Sequence, residues 1–110
     1  MFKKIFFLSL LPTCAAADVL IDVRTPEEYN AGHLEPAFLL PVQHLDEGIA
    51  AIAPDLDEPV YLYCRSGNRS EVARRLLVEK GYRHVYNLGG MTAAHDWLQA
   101  QPEVKPRAAP

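Results

Sequence analysis

The segment Cys64-Arg65-Ser66-Gly67-Asn68-Arg69-Ser70 carries the side chains best suited to chemistry, a thiol and two guanidinium groups within seven positions. It lies between the apolar run Val60-Tyr61-Leu62-Tyr63 and a stretch with Val72, Ala73, Leu76 and Leu77 at helical spacing, so it reads as a strand-to-helix loop. The N–H groups of such a loop can converge on one point, helped by the positive end of the helix dipole. Gly67 and Asn68 tolerate the dihedral angles that a tight anion cradle demands. A thiol in that setting ionises below its free value of about 8.5, and the thiolate is the nucleophilic form. A nucleophilic cysteine in a loop that favours anions is the chemistry these residues offer.

The charge distribution points the same way. Arg65, Arg69, Arg74, Arg75, Lys80 and Arg83 are opposed between positions 65 and 83 by Glu71 and Glu79 alone, a local formal charge of +4 within a chain of −3. Arg74, Arg75, Lys80 and Arg83 read as the solvated face of a helix. Arg65 and Arg69 lie inside the loop and read as binders of an anionic substrate.

The rest of the chain must position that loop. Val19 to Val23 is a β-branched strand. Thr25, Pro26 and Glu28 then form a helix start of capping-box type, and Gly32 stops the helix. Ala37 to Leu40 reads as a second strand closed by Pro41, and Leu45 to Ala53 as a helix. Val60 to Tyr63 is apolar on both faces, as a buried parallel strand requires. Gly81 ends the helix after the cysteine loop, and His84 to Leu88 is the last strand, after which Gly89-Gly90 breaks the chain. Met91 to Ala100 is the last helix, with Ala94, Trp97 and Leu98 on one side, and residues 102–110, with three prolines, read as a flexible tail. This alternation predicts a single α/β domain over residues 18–101, a mostly parallel sheet flanked by helices on both faces. Such sheets hold ligands beyond the carboxyl ends of their strands, and Cys64 sits at one of those ends.

Residues 1–17 stand apart. Lys3 and Lys4 precede the apolar run from Ile5 to Leu11, and Ala15-Ala16-Ala17 follows, which predicts an export signal cleaved before Asp18. The run is far shorter than the roughly 20 residues of a membrane-spanning helix, so no stable membrane insertion is expected. Without Lys3 and Lys4 the 11 basic residues become nine against 14 acidic ones, a formal charge of −5 that argues against nucleic-acid partners. Cys14 falls within the signal and leaves Cys64 as the lone cysteine beyond it, so an internal disulfide is excluded there. Lipid attachment at Cys14 is the alternative, opposed by Pro12 and Thr13, which depart from the small residues usual before a lipidated cysteine. Composition agrees with an ordinary soluble domain, 49% hydrophobic and 23% charged over 110 residues.

In order and spacing, Asp22-Val23-Arg24, Glu28-Tyr29, Gly32-His33-Leu34, the loop from Cys64 to Ser70, Asn87-Leu88 and Gly89-Gly90-Met91 together resemble the single-domain rhodanese-like sulfurtransferases. The resemblance implies that Cys64 takes the outer sulfur of thiosulfate as a persulfide and passes it to cyanide, a thiol or a protein acceptor, without metal or organic cofactor. It implies that Arg65 to Ser70 bind the substrate and that Asp22 and Arg24 support the loop from beneath as a paired charge. Together with the export signal, it implies a periplasmic location. Cysteine phosphatases, including the rhodanese-fold branch, enclose five residues between cysteine and arginine, whereas Cys64 and Arg69 enclose four. The smaller cradle suits one sulfur atom, and a phosphatase or arsenate reductase is the alternative enzyme. A sulfur carrier or redox-sensing module without turnover is the alternative of another class. Pro36-Ala37 departs from the Gly-Ala usual in the family and predicts a local adjustment. Ala94-His95 departs from Ala-Trp and leaves acceptor preference open. His33, His44, His84 and His95 lack metal-ligand spacing with Cys64, and Tyr61, Tyr63 and Tyr86 read as packing residues.

Overall fold

Leucine-rich and β-branched runs become strands, and the stretches between them become helices with one apolar side, in a computed structural model that describes residues 18–110. The expected export signal, with Cys14, lies outside the described residues. The order is β1 (Val19–Asp22), α1 (Pro26–Ala31), β2 (Phe38–Leu39), α2 (Leu45–Ile52), β3 (Val60–Cys64), α3 (Asn68–Glu79), β4 (Val85–Gly90) and α4 (Met91–Ala100). The four strands form one sheet in the order β2-β1-β3-β4, and each pairing is parallel. β1 and β3 occupy the centre and are buried along their whole length, which is why both read as continuous apolar runs.

Side chains that alternate along the central strands divide the core into two layers. Val19, Ile21, Val60 and Leu62 face Leu45 and Ile49 of α2 and Ala73 and Leu77 of α3. Leu20, Tyr61 and Tyr63 face Ala94 and Trp97 of α4, with Tyr29 of α1 packed beside them. The helices thus cover both faces, as the alternation of elements predicts. Tyr61, Tyr63 and Tyr86 all sit on strands. Tyr61 stacks on Tyr86 at 5.2 Å, and the Tyr63 hydroxyl accepts the Leu34 N–H at 3.0 Å.

Three features differ from the sequence expectation. β4 does not break at Gly89-Gly90. Its register with β3 jumps from Leu62–Asn87 to Cys64–Gly90, a bulge that carries Gly89 at φ +92° and continues pairing through Gly90. Regular β2 is confined to Phe38–Leu39, and a 3-10 turn at Val42–His44 leads into α2. The segment after α4 is docked instead of frayed: Val104 packs on the aromatic layer, and the Arg107 N–H donates to the Asp18 carbonyl at 3.0 Å. The Arg107 guanidinium donates to the buried Glu58 carboxylate at 2.7 Å and to the Ile52 carbonyl. A buried carboxylate needs a paired charge, and Arg107 supplies it. Pro36 lies in a turn closed by the Ala37 N–H on the Leu34 carbonyl at 2.9 Å.

Candidate active site

β3 delivers Cys64 at its carboxyl end, where the side chain is 1% exposed. The chain then turns through Arg65 and Ser66 to Gly67, which sits at φ +99° and starts α3 without any side-chain cap. A residue with a Cβ would be strained at that angle. The turn directs the Gly67 N–H onto Cys64 Sγ at 3.0 Å, and Ser70, one turn into α3, places its Oγ 3.4 Å from the same sulfur. Burial pushes the thiol up, but the Ser70 hydroxyl and the N–H groups of Ser70, Ser66 and Gly67 outweigh it and hold Cys64 below its ordinary value. Cys64, Arg65, Ser66, Gly67, Asn68, Arg69 and Ser70 are therefore one loop and one helix start around a single sulfur.

The two glycines of β4 let this loop close. A Cβ on Gly90 would stand 2.5 Å from the Arg65 carbonyl oxygen, and one on Gly67 would stand 3.4 Å from the Gly89 Cα. The loop backbone thus leans directly on the bulged strand. The sequence signal was the Gly89-Gly90 pair itself, whose second meaning is close backbone approach. Asn87 of β4 joins the loop to the strand. Its Nδ2 donates to the Gly67 carbonyl at 3.0 Å, while its Oδ1 accepts from Ser70 Oγ at 2.7 Å and from the Gly89 N–H at 2.9 Å. The clue was an amide side chain in a strand.

Glu28 is the other residue that the sequence assigned too small a part. Beyond closing its capping box with Thr25, it takes Arg69 in a two-pronged ion pair at 2.8 and 3.0 Å, and Arg65 approaches at 3.8 Å. Arg69 beside it, with the Thr25 N–H, lowers its carboxyl to about 2. The expectation of two open guanidinium groups changes accordingly: Arg69 is engaged by Glu28 and fixes α3 to α1, whereas Arg65 is 80% exposed. The sequence distance of 41 residues hid the pair. Arg74 and Arg75 pair with Glu71, Lys80 with Asp46 and Arg83 with Asp57, so these four cations belong to the surface.

Asp22 and Arg24 form a buried ion pair at the end of β1, with Arg24 Nη2 2.7 Å from Asp22 Oδ2 and equally close to the Gly32 carbonyl. Arg24 lies 5.7 Å over the Tyr63 ring and reaches the wall of an open cleft of about 470 Å³. Glu28, Gly32, Arg65, Gly90, Met91 and Thr92 complete most of that wall, so the cleft opens beside the cysteine loop. His95 is exposed on α4 and does not contribute to it, while His33 stacks on Tyr29 and bonds its carbonyl at 2.8 Å. A sulfur held among N–H donors, an exposed cation at the rim and an open cleft can stabilise an anionic sulfur species and receive a small anion.

Comparison with known proteins agrees with that chemistry. The family model described as "Rhodanese-like domain" matches residues 8–96. The thiosulfate sulfurtransferase PspE of Escherichia coli is 40% identical over 109 residues, 96% of this chain and 99% of that protein. The thiosulfate sulfurtransferase GlpE of Pseudomonas entomophila is 36% identical over 92 residues, 81% of this chain and 80% of that protein. A solved structure described as "rhodanese with anions from E. coli" superposes with a TM-score of 0.68 at 40% identity, covering 70% of this chain and 91% of that one. The chain therefore belongs to the rhodanese-like family.

Proposed function

We propose that this chain is an exported thiosulfate sulfurtransferase that works through a persulfide on Cys64. Its enzyme class is that of its relatives, the thiosulfate sulfurtransferases. The Cys64 thiolate attacks the outer sulfur of thiosulfate, a new S–S bond forms, and sulfite leaves with the electron pair of the old one. Cyanide or a thiolate then attacks the outer sulfur of the persulfide, giving thiocyanate or a new persulfide and returning the Cys64 thiolate. The observation that carries this reading is the uncapped start of α3 with its Gly67 N–H 3.0 Å from Sγ, a donor set aimed at negative charge on that sulfur. Ser66, Asn68 and Ser70 complete the cradle, and Arg65 receives the sulfonate end of the donor. Arg69 acts first as the brace to Glu28. This neutralisation disfavours a phosphoryl substrate, which would need Arg69 for itself. Asp22 and Arg24 hold the floor of the cleft, and no cofactor enters the cycle. A protein thiol could serve as acceptor across the same open cleft.

Residues 1–17 are read as the signal that takes the protein to the periplasm, on their charge, apolar run and alanines, with the catalytic domain beginning at Asp18. Thiocyanate formation from thiosulfate and cyanide tests the reaction. Turnover by the reduced protein that falls to background in Cys64→Ser is expected, and a folded wild type that stays inactive while its thiol takes up sulfur would make it a carrier. Cell fractionation tests the address, with recovery in the cytoplasm counting against it.

A further inference from the structure

The amide of Asn87 is fixed in orientation by two backbone groups of opposite kind. The Gly89 N–H can only donate, and it meets Oδ1 at 2.9 Å, whereas the Gly67 carbonyl can only accept, and it meets Nδ2 at 3.0 Å. Oδ1 accepts, so the Ser70 hydroxyl 2.7 Å away must donate to it. A hydroxyl has one proton. With that proton on Asn87, Ser70 Oγ turns a lone pair toward Cys64 Sγ at 3.4 Å and accepts a hydrogen bond from the thiol. Once Cys64 loses its proton to solvent, two electron-rich atoms face each other, and a charge-assisted bond from the hydroxyl to the sulfur becomes the stronger choice.

We propose that Asn87 is a positioning residue, the resting acceptor of the Ser70 proton, which it holds off Cys64 while the sulfur is protonated and releases, by rotation of the hydroxyl, once the sulfur is charged. The inference rests on Cys64 being the reacting thiol. It assigns Asn87 a role opposite to that of the N–H cradle: it works against ionisation and keeps the thiolate from being stabilised so far that its nucleophilicity falls. A residue that merely held the loop would do the reverse. Its loss would free Gly67, whose N–H lies on Sγ, and ionisation would become harder. The charged groups that face it from the surrounding elements are Arg65 and Arg69, Glu28 of α1, the Asp22–Arg24 pair at the end of β1, and on α3 Glu71, which Asn87 Nδ2 reaches at 3.4 Å, with its partner Arg74. β4 itself adds none between Val85 and Gly90.

The test is a pH titration of the thiolate absorbance in wild type, Asn87→Ala, Ser70→Ala and the double variant, with the Cys64→Ser spectrum subtracted so that Cys14 does not contribute. Asn87→Ala is expected to lower the midpoint by about 0.5 pH or more and Ser70→Ala to raise it. In the Ser70→Ala background, loss of Asn87 is expected to produce no lowering. A midpoint that rises or stays in Asn87→Ala, or a lowering that persists without Ser70, overturns the proposal. A second measurement needs no variant: the side-chain carbonyl carbon resonance of Asn87 in the wild type should move with the Cys64 midpoint, and a resonance that ignores it also overturns the proposal. Both measurements read Cys64 without turnover, so they are decided separately from the sulfur-transfer reading.

Discussion

α1 and α3 each begin at the carboxyl end of a central strand of the same parallel sheet, and they satisfy their first N–H groups in opposite ways. At α1 the Thr25 side chain accepts the Glu28 N–H at 3.2 Å, the Glu28 carboxylate accepts the Thr25 N–H at 3.1 Å, and Pro26 removes a third donor. At α3 the cap position is Gly67, with no side chain to cap anything, and its N–H donates to the Cys64 sulfur. A side-chain cap contributes about 1 kcal/mol to a helix, and α3 forgoes it. The same connection is therefore closed by its own side chains in one place and turned onto a sulfur in the other. Glu28 ties the two together, since the carboxylate that caps α1 also holds Arg69 of α3.

The contrast breaks most completely at Gly90. Gly90→Ala would put a methyl group 2.5 Å from the Arg65 carbonyl oxygen, and because the obstacle is backbone the cysteine loop must move. Displacement of a reacting group by about 1 Å can cost on the order of 100-fold in rate. Thiosulfate turnover is expected to fall by that order while the chain still folds. Turnover within a few-fold of wild type would show that the open helix start does not depend on the bulged strand.

Glu28→Gln sharpens the contrast. Glutamine can serve in a capping box, so α1 keeps its closed start while Arg69 loses its charge partner. A roughly tenfold loss in kcat/KM is expected, about 1.4 kcal/mol of transition-state stabilisation. The acid limb should change too. Glu28 ionises at about 2 in the folded chain against an ordinary 4.5, so its contribution is present above pH 4.5 and is lost as the pH falls toward 2. In Glu28→Gln that part of the acid destabilisation should disappear from unfolding curves, with the share from Glu71, also lowered to about 2 by Arg74, remaining.

The sequence made the local features legible and concealed those that span distance. The capping box at Thr25, the buried strand Val60 to Tyr63 and the cysteine loop were readable because each is written within a few consecutive residues. The Glu28–Arg69 pair, the Asn87–Ser70 bond and the Arg107–Glu58 pair join residues 41, 17 and 49 positions apart, and no local pattern marks them. Gly89-Gly90 is a visible but ambiguous signal. Glycine signals both chain breaks and close backbone approach, and choosing between them requires knowing that the Arg65 carbonyl lies beside it. Prolines in the segment after Gln101 likewise suggested fraying, although one arginine there answers a buried carboxylate.

The smallest effect is expected at Thr25, on the closed side of the comparison. Thr25→Ala removes the hydroxyl that accepts the Glu28 N–H, but the backbone N–H of residue 25 still donates to the Glu28 carboxylate and Arg69 keeps its partner. Chemical unfolding should show a loss of about 1 kcal/mol, the usual worth of a threonine cap, with thiosulfate turnover within about twofold of wild type. If turnover instead falls as far as in Glu28→Gln, then the cap is what holds Glu28 in place for Arg69. The two helix starts would then be one device, with the closed end setting the geometry of the open one.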